Sequence, residues 1–155
     1  MVIQALNPLS PKIRRDSFRS GNGALDEWFH RHAMQAHRSA TTKVFVSCDD
    51  DGLALGFYAL SAAGVTPSLR AQPVPVALLT RLVVSEGVRG RGIGRALLKD
   101  ALLRIDKASD HLGARAVLAH ATDEESRAFY RRFDFEPSPV DAMWMLLGMD
   151  DLRRN

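Results

Sequence analysis

The chain has 155 residues, 46% hydrophobic and 25% charged, a size and balance that fit one soluble globular domain with its own core, so residues 1–155 are expected to form a single domain. No apolar run approaches the length of a bilayer span, the first residues lack the basic-then-apolar order of a signal peptide, and the single cysteine, Cys48, permits no intrachain disulfide; no membrane association and a reducing cytoplasm are the expectation. The net charge is +3 and the pI 9.4, with seven Lys/Arg against three Asp/Glu in residues 1–47; scattered arginines mostly solubilise, yet a basic half also suits a polyanionic partner.

In chain order, Val2–Leu6 alternates weakly, as a short edge strand does. Gly21-Asn22-Gly23 then breaks the chain before Leu25, Trp28, Phe29, His32, Ala33 and Ala36, whose spacing predicts one amphipathic helix. Asn22 is its candidate cap, and Asp26 and Glu27 favour the helix dipole. Lys43–Cys48 and Leu53–Ser61 read as two strands joined by Asp49-Asp50-Asp51-Gly52, a β-hairpin. The three aspartates lack the glutamate and ligand alternation of a calcium loop, so turn chemistry is preferred and no metal is expected.

Val65–Pro75 reads as a proline-rich loop. Val76–Val84 is a nearly continuous apolar strand, as a centrally placed strand should be. A helix with the stripe Ile93, Leu97, Ala101, Ile105, Ala108 follows, leaving Arg95, Lys99 and Asp106 exposed, and Gly113 ends it. Ala114–Ala121 is another strand. Thr122-Asp-Glu-Glu125 has capping-box spacing and opens a short helix through Phe133. Pro137 and Pro139 stop it, Ala142–Met149 is a last strand, and Asp150–Asn155 reads as a frayed tail. The order is that of an α/β (α+β) chain with a βαβ unit in its second half.

Between the strand ending at Val84 and the helix beginning near Ile93 lies Arg89-Gly90-Arg91-Gly92-Ile93-Gly94. Glycines there permit left-handed backbone and close approach of a ligand, a helix start offers unpaired N–H groups, and Arg89, Arg91 and Arg95 add positive charge; such a turn can hold an anion such as pyrophosphate. The glycine spacing is not the G-x-G-x-x-G of a dinucleotide fold, and no P-loop Lys-Ser pair is present.

The spacing R-x-x-G-x-G resembles motif A of the GNAT acyltransferases. Further blocks carry the resemblance from about residue 18 to 149: Ser20-Gly-Asn-Gly-Ala-Leu-Asp-Glu-Trp-Phe, Gly56-Phe-Tyr-Ala-Leu, Leu79-Thr-Arg-Leu-Val-Val, Gly94-Arg-Ala-Leu-Leu-Lys-Asp-Ala-Leu, Ala119-His-Ala, and Ala128-Phe-Tyr-Arg-Arg-Phe-Asp-Phe-Glu-Pro-Ser-Pro. Together they are similar to the GNAT toxins of toxin–antitoxin pairs. The resemblance implies a mixed sheet of six to seven strands flanked by helices, with a V-shaped splay between the two central parallel strands. It implies acetyl-CoA as donor, aminoacyl-tRNA as acceptor, a ribbon-helix-helix antitoxin and a homodimer. It places Leu82, Val83 and Val84 against pantetheine, Arg89, Gly90, Arg91, Gly92, Ile93 and Gly94, with Arg95, around the pyrophosphate, and Tyr130 as the catalytic acid. Two departures stand out. Asp134 occupies a position where Gly is common and is expected to force a non-glycine residue into uncomfortable backbone, and Ala36-His37-Arg38 replaces a common Asn-Gln pair.

The residues themselves supply a thioester aminolysis with most of what it needs. A strand amide near Val84 can stabilise the developing oxyanion, and a phenol, with ordinary pKa about 10 against about 8.5 for a thiol, stays protonated to supply the departing sulfur. Read without the family, Tyr130 packs beside Phe129 and Phe133 as a core-edge residue. No general base is evident: Glu86 reads as a solvated loop acid, His120 as a packing residue, and His30, His32 and His37 as residues on differing helix faces. An aminoacyl ester tolerates that, because its α-amine titrates at about 8 or below. The alternatives are a peptide or small-amine N-acetyltransferase and a non-catalytic CoA-fold binding protein.

Overall fold

The computed structural model describes residues 6–65, 72–139 and 141–154. Its strands form one seven-stranded mixed sheet in the order β1-β2-β3-β4-β5-β7-β6, where β1 is Asn7–Pro8, β2 Thr42–Cys48, β3 Ala54–Val65, β4 Val74–Val84, β5 Ala116–His120, β6 Glu136–Pro137 and β7 Trp144–Gly148. Five helices accompany it among the described residues: α1 Gly23–Arg31, α2 Ala33–Arg38, α3 Ile93–Leu112, α4 Glu124–Arg131 and α5 Met149–Arg154. This is the expected α/β class, and β4–α3–β5 is the expected βαβ unit. By packing, the chain divides into two compact units, Met1–Leu60 with Arg81–Ala101, and Ser61–Thr80 with Leu102–Asn155.

The first unit is built on aromatic packing. Phe29 of α1 stacks on Phe57 of β3 with ring centroids 4.0 Å apart, and Phe18 meets both edge-on at 4.8 and 5.5 Å; Val44, Val46 and Val83 complete the cluster. Burying three Phe side chains removes roughly several hundred Å² from water, a large stabilising contribution. Gly56 of β3 serves the same end by absence: a side chain there would lie 3.0 Å from Leu97 and 3.1 Å from Ile93 and the Val83 carbonyl. Lacking one, β3 lets the first turns of α3 settle against it, which fixes where that helix begins.

Asn22 caps α1 as the sequence predicts, its side chain accepting from the Leu25 amide at 3.2 Å. The single predicted helix, however, is two, broken at His32, where the α1 ladder closes through the His32 amide to Trp28 and a new one starts from the His32 carbonyl to Ala36. Asp26 lies in the first turn of α1, as expected, and is buried there. In the hairpin turn, Asp49 turns its carboxylate onto the backbone, accepting from Asp51 and Leu53 amides at 2.9 Å each, and Gly52 takes φ 80°, as turn chemistry demands.

In the second unit, β4 pairs parallel with β5 from Val76↔Ala116 to Leu79↔Ala119, and β5 pairs antiparallel with β7 along its length. The ladder to β5 ends at Leu79 while β4 continues to Val84. Val117, Ala119, Met145 and Leu147 are buried in alternation, as facing strands of a sheet should be.

Several expectations are corrected here. The stripe of α3 ends on Ser109, which is buried, not on Ala108, which is exposed. The helix cap at α4 is Asp123, accepting from the Ser126 amide at 2.8 Å, one residue beyond the predicted Thr122. Glu136–Pro137 is not merely a stop but a short strand on β7, tolerable for proline in so short an edge strand. The predicted frayed tail is α5, tied down by Arg153, whose guanidinium donates to Asp106 at 3.0 Å, Ser109 at 2.9 Å and Asp110 at 3.1 Å. The predicted strand at Val2–Leu6 lies outside the described residues except for Leu6, and the observed edge strand is Asn7–Pro8, antiparallel to Val46 and Phe45. Cys48 is buried at the end of β2, and burial, then Asp49, pushes its thiol pKa up.

Candidate active site

In the first unit, the chain leaves β4 at Val84 with Leu82 and Val84 half-buried and Val83 buried. The Ser85 amide donates to Leu55 at 2.8 Å, and a 3₁₀ turn at Glu86–Val88 leads into the glycine loop. Gly90 and Gly92 both adopt left-handed backbone, φ 79° and 78°. A side chain added at either would meet nothing within 4 Å, so the loop presents bare main chain to open space. Gly94 stands in the first turn of α3. The Ala96 amide reaches back to the Gly92 carbonyl at 3.0 Å; the amides of Ile93, Gly94 and Arg95 therefore precede the first intrahelical bond, at the positive end of a 20-residue helix. Arg91 and Arg95 are exposed beside it. Arg89 is exposed too, but its guanidinium is anchored, donating to the Ser20 carbonyl. Bare left-handed backbone, helix-start amides and two exposed guanidiniums are what a pyrophosphate group requires.

Tyr130 lies in the second unit, near the end of α4, and is 3% exposed. Its ring packs on Phe129 at 5.4 Å and on Phe135 at 5.3 Å, while Phe133 pairs with Phe129 instead. Burial pushes its phenol pKa up, so the phenol carries its proton at any physiological pH. The turn after α4 fixes it. The Phe135 amide donates to the Tyr130 carbonyl at 3.2 Å and the Asp134 amide to the Arg131 carbonyl at 3.1 Å, the pair of bonds that define a Schellman motif, completed by the Tyr130–Phe135 contact. That motif needs a left-handed residue before Phe135. Asp134 fills it at φ 70°, the one non-glycine residue with positive φ among the described residues, as its position in the sequence predicts.

The other candidates have tasks of their own. His120 packs on Trp144 at 4.7 Å, His30 donates to the Phe18 carbonyl at 2.9 Å, and His37 accepts from the Val44 amide at 2.9 Å. Glu86 differs: its backbone amide donates to the Arg19 carbonyl at 2.7 Å, and its side chain is exposed.

A family model described as an acetyltransferase (GNAT) domain matches residues 40–137, more than half of the chain. The chain belongs to the GNAT acetyltransferase family. A tRNA-acetylating toxin of Mycobacterium tuberculosis is 42% identical over 145 residues, which cover 88% of this chain and 87% of the relative. The GNAT fold is also that of the toxin AtaT. The structure of AtaT complexed with acetyl-methionyl-tRNAfMet superposes with a TM-score of 0.88 at 19% identity, covering 98% of both chains. A tyrosine-to-phenylalanine mutant of AtaT, bound to the C-terminus of the antitoxin AtaR and acetyl-CoA, matches with the same score and identity over 98% of this chain and 96% of that one.

Within this GNAT chain, what sequence reasoning missed are contacts between residues that lie apart in the sequence or on different elements. Phe135 was legible as part of a block but not as the contact that closes the Schellman turn. Asp26 and Ser20 flank a glycine pair, a pattern that pointed to a helix start and gave no sign that the acid bonds back to the serine. Trp28 and Arg81 sit on different elements, and their stacking, with the guanidinium 4.0 Å from the ring centroid, has no local signature.

Proposed function

We propose that this chain is an acetyl-CoA-dependent N-acetyltransferase that acetylates the α-amine of aminoacyl-tRNA, acting as a toxin that blocks translation. The observation that carries the donor assignment is the bare, left-handed Gly90–Gly92 backbone opening onto the start of α3. Arg89, Gly90, Arg91, Gly92, Ile93, Gly94 and Arg95 are assigned to the pyrophosphate, and Leu82, Val83 and Val84 to the pantetheine arm along the strand edge. Acetyl-CoA supplies an acetyl thioester; the substrate amine forms the new N–C bond as the C–S bond breaks. An amide near Val84 donates to the carbonyl oxygen as charge develops, a contribution of about 3 kcal/mol in comparable sites. Tyr130 gives its proton to the departing sulfur, and the proton that the attacking nitrogen sheds to solvent returns the phenolate to its neutral form; burial raises the phenol pKa, so the neutral form is the resting one.

The acceptor assignment is supported by the 42% identical relative, the basic first 47 residues and the chemistry of the amine. An aminoacyl ester's amine, titrating at about 8 or below, is substantially neutral without a dedicated base, and His30 and His37 each have a ring nitrogen bonded to the backbone, while the His120 ring packs on Trp144. Residues 1–155 are taken to act as one acetyltransferase domain, since the family match runs through residues of both compact units. The same reading includes a cytoplasmic homodimer and a ribbon-helix-helix antitoxin whose acidic segment covers the basic rim.

Incubation with acetyl-CoA and charged tRNA tests the assignment. N-acetyl-aminoacyl-tRNA is the expected product, and its absence with acetylation of peptides or small amines moves the chain to another acceptor. Tyr130→Phe is expected to lower kcat by about 10²–10⁴-fold while melting within a few degrees of the parent; full activity in that variant removes the acid role from Tyr130.

A further inference from the structure

The chain around Ser20 is held far more firmly than a connection to a helix requires. Asp26, in the first turn of α1, is 8% exposed. Its carboxylate accepts from the Ser20 amide at 3.0 and 3.1 Å, and the Ser20 hydroxyl donates to it at 2.6 Å. Burying a carboxylate is costly unless its oxygens are hydrogen-bonded, and here the hydrogen bonds come from Ser20. The stretch so fixed then gives its own carbonyls to the segment that opens the glycine loop: Arg19 accepts from the Glu86 amide at 2.7 Å, and Ser20 accepts from the Arg89 guanidinium. Gly21 supplies backbone that side chains resist: it stands at φ 92°, with the end of the Glu86 side chain beside it.

We propose that Asp26 is a positioning residue for the acetyl-CoA site, holding residues 19–21 as a strap that orients Arg89 and anchors the entry to the glycine loop. The inference rests on the reading of Arg89–Gly94 as the pyrophosphate site. Arg89 is the first charge of that loop, and a guanidinium has five donors in one plane. One bond to Ser20 therefore sets the orientation of the plane and leaves further donors for a phosphate oxygen. A side chain already held in the bound orientation loses less freedom when the anion arrives, so the strap acts on donor affinity ahead of chemistry.

Asp26→Asn keeps the shape and removes the charge, while Glu27→Gln, which makes the same charge change on the exposed side of α1 beside Arg31, is the control. Two measurements are made: steady-state kinetics with acetyl-CoA and charged tRNA, and hydrogen exchange of the Glu86, Val88 and Arg89 amides in the ligand-free protein. Asp26→Asn is expected to raise the KM for acetyl-CoA about tenfold, the effect of one lost charged hydrogen bond. The KM for charged tRNA and kcat stay within about twofold, too small a change to count as a lost hydrogen bond, and the three amides lose protection. Glu27→Gln changes none of these. Unchanged protection in Asp26→Asn, or lost protection with an unchanged KM for acetyl-CoA, overturns the proposal, as does an equal rise in both KM values. If the wild type binds no acetyl-CoA by calorimetry, the pyrophosphate reading fails by itself, and exchange at the three amides still decides whether the strap holds the loop. Should Asp26→Asn not fold, Ser20→Ala, which removes the hydroxyl donor, goes through the same measurements with an expected rise of about threefold in the KM for acetyl-CoA, the effect of a neutral hydrogen bond.

Discussion

Left-handed backbone occurs in each of the two compact units, and the two cases are built in opposite ways. At Gly90 and Gly92 it is adopted by glycine with open space above. After α4 it is adopted by aspartate, inside a turn closed by the Phe135–Tyr130 and Asp134–Arg131 hydrogen bonds and by the packing of Tyr130 on Phe135. The first conformation costs little and leaves main-chain amides uncovered. The second costs about 1 kcal/mol or more for a residue with a Cβ and persists because a buried contact over-determines it. Glycine keeps a loop bare, whereas a turn closed by a buried contact can tolerate a side chain of its own.

Gly92→Ala is the most severe way to break this contrast. Alanine at φ 78° adds about 1–2 kcal/mol of strain, and with no packed contact to resist, the loop relaxes rather than the fold unravelling. Kinetics should show at least a tenfold rise in the KM for acetyl-CoA, the equivalent of about 1.4 kcal/mol, with melting lowered by no more than a few degrees. A large fall in melting temperature with unchanged KM would mean that this loop, too, is held by packing. Asp134→Gly tests the other side: it relieves the backbone without touching the contact, so stability should rise by about 0.5–1 kcal/mol and the melting temperature by about 2–4 °C, with kcat unchanged. A fall would show that the aspartate side chain contributes more than its backbone costs.

The smallest effect touches neither turn and sets the background for both. His37 accepts from the Val44 amide through Nδ1, and burial, with Lys43 nearby, holds its pKa below the ordinary 6.5. The unfolded chain therefore takes up the proton first. The His37 contribution to stability is present in full above about pH 6.5 and is lost as pH falls through the lower, folded value. Melting temperatures recorded from pH 8 down to 5 should decline at the acid end, and His37→Asn, which retains an acceptor and cannot titrate there, should flatten that part of the curve.

What the sequence reveals of this fold follows how local each cause is. The Asn22 cap, the hairpin turn at Asp49–Gly52 and the glycine loop each depend on a few adjacent residues, and each was legible; the left-handed Asp134 was legible only through the family pattern, which commonly has Gly there. The break at His32 depends on how α1 and α2 pack, which periodicity does not encode, so a continuous apolar pattern read as one helix. The capping shift from Thr122 to Asp123 is a choice between two adjacent good caps, decided by where the chain leaves β5. Helix α5 is six residues long and marginal by itself; its hold on α3 comes from Arg153 reaching residues more than forty positions earlier, and no pattern near the chain end reports that. The hold of Asp26 on Ser20 was missed for a related reason: an acid in a first helical turn has a sufficient local explanation, which concealed the stronger one.

The buried thiol at the end of β2 carries a practical consequence. Cys48 is the sole cysteine, is shielded from solvent and has its pKa raised, so little thiolate forms at neutral pH and maleimide reagents find no ready target. A cysteine introduced on the exposed face of α1 or α3 would carry a fluorophore or spin label without first removing the native one. Distances across the molecule, including those between the two compact units, become measurable in solution on an otherwise unaltered chain.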